Sequence, residues 1–96
     1  MPIVISPAAG DDIRAAYIHY AERSPDLAGR VVRAIPDAIG GLEKFPLMGR
    51  AGVKPGTRER FLSRYPYKII YEINGETIEI DRVLHNARQW PPKGEW

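Results

Sequence analysis

The stretch Tyr67-Lys68-Ile69-Ile70-Tyr71-Glu72-Ile73-Asn74-Gly75-Glu76-Thr77-Ile78-Glu79-Ile80-Asp81-Arg82-Val83-Leu84-His85 decides the fold. Apolar residues alternate at Tyr67, Ile69, Tyr71 and Ile73, then again at Ile78 and Ile80. A period of two predicts two strands, each with one buried face. Asn74-Gly75 lies between them, and both residues tolerate the positive φ that a two-residue hairpin turn requires. Past Ile80 the alternation slips. Arg82 shares a face with Ile78 and Ile80, whereas Val83 falls on the other, so a bulge near Asp81-Arg82 is expected. The second strand ends in a polar cluster, Arg82, His85, Asn86 and Arg88.

Toward the N-terminus, Ile3-Val4-Ile5 reads as a short first strand. Ser6-Pro7 and Ser24-Pro25 each read as a helix start, with Ser as N-cap and Pro at the first helical position. Asp11 and Asp12 lie near the positive end of the first helix, where carboxylates are favoured. Ile13, Ala16, Tyr17, Tyr20 and Ala21 form one helical stripe; Ala28, Val31, Ile35, Ala38, Leu42 and Phe45 form the next. Pro36 removes a backbone hydrogen bond from the second helix and Gly40-Gly41 weakens the following turn, which predicts a kink or break near residues 32–36. Residues 49–57 read as a loop. Arg58 to Ser63 reads as a strand, with Arg58, Arg60 and Leu62 on one face and Glu59 and Phe61 on the other. The order is β-α-α-β-β-β. It predicts an α+β fold in which a mainly antiparallel sheet packs against an N-terminal helical hairpin.

Ninety-six residues predict a single domain, 1–96, and a hydrophobic share of 44% supports a small core. Cysteine is absent, which excludes disulfides and thiolate chemistry, and two histidines exclude a His-rich metal site. This is compatible with a reducing cytoplasm, the expected location. The N-terminus does not read as a signal peptide, and no apolar run approaches the length that spans a bilayer, so no membrane role is expected. Charge is unevenly placed. Residues 1–48 carry five Lys/Arg and six Asp/Glu, whereas residues 49–70 carry Arg50, Lys54, Arg58, Arg60, Arg64 and Lys68 against Glu59 alone. That excess is either a footprint for an anionic partner or a solvated edge.

Several motifs in this order resemble the RelE/ParE superfamily, the toxins of bacterial type II toxin–antitoxin modules. They are Ser6-Pro-Ala-Ala-Gly-Asp-Asp12, Leu42-x-x-x-Pro46-x-x-Gly49-Arg50, Arg58-x-Arg60, Tyr67-Lys-Ile-Ile-Tyr71 and Ile80-Asp-Arg-Val-Leu-His85-x-x-Arg88. The resemblance runs over nearly the whole chain. It implies a toxin held inactive by a cognate antitoxin in a hetero-oligomer, with no cofactor and no metal. It also implies one of two targets: DNA gyrase for ParE-like members, or the ribosomal A site for RelE-like members, which cut mRNA.

The nuclease alternative needs groups that stabilise a pentavalent phosphate and move protons. Lys68 stands where RelE-like enzymes often place a phosphate-binding Arg. His85 stands near a position that supplies a general acid or base in some members, and Arg82 and Arg88 would neutralise phosphate. No Tyr follows His85; Trp90 is there instead, and indole transfers no protons. The Arg-Val-Leu-His-x-x-Arg ending looks closer to the ParE side. On that reading the protein is not an enzyme, and Arg58, Arg60, Arg64 and Trp90 are candidates for contact with target or antitoxin. A third alternative is a non-toxic relative that only binds an antitoxin. Plainer roles stand beside these. His85 would cap the sheet through a backbone hydrogen bond, Lys68 would be a solvated strand residue, and Arg58 and Arg60 would pair with Glu79 or Asp81. Tyr17 and Tyr20 would sit in the core, and Trp90 and Trp96 would form an exposed tail that docks back or meets a partner.

Overall fold

The computed structural model of the chain describes residues 1–92. The first strand, β1 (Ile3–Ile5), leads into helix α1 (Pro7–Ala21), and α2 (Pro25–Lys44) follows after a short turn. Both helices start at the expected caps. The Ser6 hydroxyl accepts the Ala9 N–H at 3.0 Å, and the Ser24 hydroxyl accepts the Leu27 N–H at 3.2 Å. Ser6 also donates to the Asp81 carbonyl at 2.8 Å, so one cap ties α1 to the sheet.

Four strands complete the sheet: β2 (Arg50–Ala51), β3 (Thr57–Phe61), β4 (Tyr67–Asn74) and β5 (Thr77–His85). Their spatial order is β1-β5-β4-β3-β2, with β1 parallel to β5 and every other pairing antiparallel. The two-residue strand β2 lies inside the segment read as loop, too short to carry any periodicity.

The β4–β5 hairpin turns one residue later than its sequence suggests. Asn74 pairs with Thr77, and Gly75 alone takes a positive φ, 59°. Gly75 is therefore the first central residue of a two-residue loop, the position a type II′ turn gives to glycine. Pairing Ile73 with Ile78 keeps both on the core face and draws Asn74 into the ladder. The bulge is where the alternation places it: Tyr71 faces Ile80 while Ile70 faces Arg82, leaving Asp81 as the extra residue.

Residues paired across strands share a face. The face toward the helices carries Tyr67, Ile69, Tyr71, Ile78, Ile80 and Val83, packed with Val31, Ile35, Ile39 and Leu42 of α2 and Ala9 and Ala16 of α1. Helix α2 runs unbroken through Pro36. Pro36 is exposed, and buried residues on both sides of it anchor the helix to the sheet. That packing outweighs the lost hydrogen bond. Ile39 takes the buried place, while Phe45 is the exposed residue at the helix end. Tyr20 packs against the core, but Tyr17 is exposed: it lies on the edge of the stripe facing away from the sheet.

Candidate functional site

The residues expected at a nuclease centre do not converge. His85 pairs with Tyr67 and so lies on the helix side of the sheet, whereas Lys68 pairs with Leu84 and lies on the outer side. The His85 and Tyr67 rings meet edge to face, 5.6 Å apart. His85 Nδ1 accepts the Ala87 N–H at 3.1 Å, and the His85 carbonyl accepts the Arg88 N–H at 2.9 Å. The imidazole thus shapes the turn after β5, which is the capping alternative. The Arg88 side chain is exposed at that turn.

Arg82 is occupied. Its Nε and Nη2 donate to the two carboxylate oxygens of Asp12 at 2.8 and 2.9 Å, and the Val83 N–H donates to the same carboxylate at 2.9 Å. The hydrogen bond to Asp12 raises the pKa of the guanidinium, partly opposed by burial. Asp12 reads from sequence as a helix-dipole residue. Its real partner is 70 positions away and gives no local signal.

Lys68 is buried, against the expectation of a solvated strand residue. Its ammonium lies 6.0 Å from the Phe61 ring centroid, and Arg50 stacks on the same ring at 4.5 Å. Glu59 is buried on this outer face beside Arg50, 3.7 Å away. Toward the hairpin end, carboxylate oxygens of Glu72, Glu79 and Asp81 lie within 4.8 Å of one another. Lys54, 5.8 Å from the Trp90 ring, stands at the same side. Four carboxylates against three cations make a poor seat for a phosphate.

Burial pushes the Asp81 carboxyl up to about 7. A hydrogen bond to Glu72 and repulsion by Glu72 and Glu79 add to the shift, and Lys54 opposes it. The folded state therefore holds a proton that the unfolded chain releases at lower pH, and stability falls as pH rises from about 4 to about 7. Asp81→Asn is expected to raise the melting temperature at pH 8 and to raise it much less at pH 5, where only the early part of the loss has occurred. The gain should be modest because the group is partly solvated. Thermal scans at the two pH values check this, and an equal effect at both contradicts it.

Arg58 and Arg60 lie on the helix side, opposite Glu79 and Asp81, so the expected cross-sheet pairs do not form. Arg58 instead donates to the Gly49 carbonyl at 2.6 Å. Arg60 donates to the Phe61 carbonyl and keeps its Nε buried without a partner. Arg60 and Arg64 line a cleft of about 490 Å³ between α2 and the β3–β4 connection, together with Arg30 and Arg33 of α2. The two α2 arginines belong to the N-terminal half, whose net charge drew no attention to them. Trp90 is half-buried on the other side of the sheet, and Trp96 lies outside the described residues.

Apolar surface is also exposed. A second groove, of about 300 Å³, is lined by Ile13, Tyr17, Ile18 and Val32 with the stem of Arg14. Val4 and Ile5 of β1 are exposed at one edge of the sheet. Among the described residues no helix is long and apolar enough to cross a membrane.

A helical hairpin stacked on a five-stranded mixed sheet, with arginines set around α2 and β3, is the architecture that the sequence motifs imply for a RelE/ParE superfamily toxin. Comparison with known proteins agrees. Residues 3–90 match the family described as ParE toxin of type II toxin-antitoxin system, parDE. Over 73 residues, 75% of each chain, the sequence is 42% identical to the "Putative toxin Y4kP" of Sinorhizobium fredii (strain NBRC 101917 / NGR234). The fold is similar to a solved structure described as "Chromosomal ParDE TA system from P. aeruginosa", with a TM-score of 0.83 and 27% identity over 88% of this chain and 95% of that one. The chain belongs to the ParE toxin family of type II toxin–antitoxin systems.

Proposed function

We propose that this toxin acts on DNA gyrase in the cytoplasm by surface contact, cuts no RNA, and is held inactive by a cognate antitoxin. The observation that carries the reading is the separation of the would-be nuclease groups. Lys68 is buried on one face beside Phe61, His85 is on the other face with Nδ1 engaged, and Arg82 is neutralised by Asp12. General acid–base catalysis needs its groups within hydrogen-bond reach of one reacting centre, and this arrangement offers none.

The antitoxin reading is supported by the apolar surface left uncovered. Tyr17 and Ile18 on α1 are 46% and 59% exposed, and they border the groove that Ile13 and Val32 complete. A small domain gains by mass action from a partner that covers such a patch. An amphipathic helix fits the groove, and an extended segment would add to the free edge of β1.

Purified toxin is expected to block gyrase supercoiling or to trap cleaved DNA. His85→Ala should do so as well as the parent, because the imidazole serves only a turn. Normal supercoiling at saturating toxin, with codon-associated mRNA cuts that vanish in His85→Ala, would overturn the reading in favour of a ribosome-dependent endonuclease.

A further inference from the structure

We propose that the cleft between α2 and the β3–β4 connection is the seat of an acidic segment of the antitoxin, with a carboxylate entering among Arg30, Arg33, Arg60 and Arg64. The inference rests on the reading that a cognate antitoxin exists, and it names the chemistry of one part of that contact.

Four guanidiniums face the cleft against a single carboxylate, Asp37. Arg30 makes only a loose, exposed pairing with Asp26 at 3.8 Å. Among the described residues, Arg33, Arg60 and Arg64 have no carboxylate partner. Gathering like charges in one cleft is unfavourable unless an anion completes it. The Arg60 Nε adds an independent sign, being the one buried side-chain polar atom among the described residues with no hydrogen-bond partner. Guanidinium forks match carboxylate geometry, and a bidentate pair satisfies two donors at once.

Charge placement favours a peptide over a nucleic acid. A nucleic-acid footprint is a basic stripe that follows successive phosphates. Here four arginines gather in one cleft, while on the outer face of the sheet Arg50, Lys54 and Lys68 are outnumbered by Glu59, Glu72, Glu79 and Asp81. The cleft is also walled by Leu62 and Tyr65, which suit a segment that alternates acidic and apolar side chains. Position points to the antitoxin. Val32 borders the apolar groove on one side of α2 and Arg33 borders the cleft on the other, so a partner crossing this helix would cover both.

The test uses Arg33→Glu/Arg64→Glu, a double variant at exposed positions, with circular dichroism to verify its fold. The first probe is a fluorescein-labelled Leu-Glu-Glu-Leu-Glu-Glu peptide, compared with its Leu-Gln-Gln counterpart by anisotropy. The expected result is that charge reversal, or replacement of Glu by Gln, weakens binding by about tenfold or more. Equal binding in either comparison overturns the proposal. The second probe is the product of the short open reading frame beside the toxin gene. If it binds parent and variant equally, the cleft assignment fails while the antitoxin reading survives. If it does not bind the parent at all, the antitoxin reading fails, and with it the source named here. Displacement of the peptide by a short oligodeoxythymidine, with the oligonucleotide also lost from the double variant, would assign the cleft to nucleic acid and overturn the proposal.

Discussion

Arg82→Ala is expected to destabilise the protein by about 2–3 kcal/mol, because it strands a carboxylate that the fold has already taken out of water. The Asp12 side chain is 10% exposed, and its two oxygens receive Arg82 Nε, Arg82 Nη2 and the Val83 N–H. After the substitution only the Val83 bond remains. The pair joins the start of α1 to the bulge in β5, so its loss also loosens the contact between helix and sheet. A domain of this size should melt about 10–20 °C lower. Asp12→Asn/Arg82→Ala should be no less stable than Arg82→Ala alone, because the unpaired charge is then gone. Denaturant titration of the three proteins checks the argument. A loss within about 0.5 kcal/mol for Arg82→Ala would mean that water, not Asp12, carries the guanidinium.

Gly49→Ala is the second large effect. A Cβ at position 49 would sit 2.6 Å from the Tyr71 hydroxyl, 2.7 Å from its Cε1 and 3.0 Å from the Glu59 carbonyl oxygen. Tyr71 is fully buried. Its hydroxyl accepts the Gly49 N–H at 3.0 Å and donates to the Pro46 carbonyl at 2.7 Å, which pins the turn between α2 and β2 to the sheet. An added methyl must push the ring or the turn aside in a packed site, at a cost of about 3 kcal/mol. Tyr71→Phe should cost about 2 kcal/mol by leaving a buried N–H without its acceptor. Combining the two substitutions should relieve only part of the clash, since Cε1 stays in the way. Thermal unfolding of the single and double variants reads this directly, and a stable Gly49→Ala protein would show that the turn moves freely.

The same pair of contacts shows what was legible in the chain. Leu42-x-x-x-Pro46-x-x-Gly49-Arg50 was recognisable as a motif, yet its reason lay 22 residues away in the Tyr71 hydroxyl. Helix starts at Ser6-Pro7 and Ser24-Pro25 were readable because a cap is a local device. The bulge at Asp81 was readable because it breaks a period of two within one strand. The hairpin turn came out one residue late because the ladder, not the turn propensity of Asn74, chose the register. Pro36 did not break α2 because propensity yields to packing when buried residues flank the proline on both sides.

Local chemistry, namely caps, alternation and the order of elements, was enough to determine the helical pair and the sheet behind it; the toxin family was legible only through the resemblance of the motifs. Which charged side chains of different strands share a face was decided by strand pairing. Pairing sent Lys68 and His85 to opposite sides, while the packing of the helices on the sheet consumed Arg82 on Asp12 and gathered arginines from both halves of the chain into one cleft. Alternation specifies sides within a strand, but the meeting of residues distant in sequence depends on how the strands and helices are assembled.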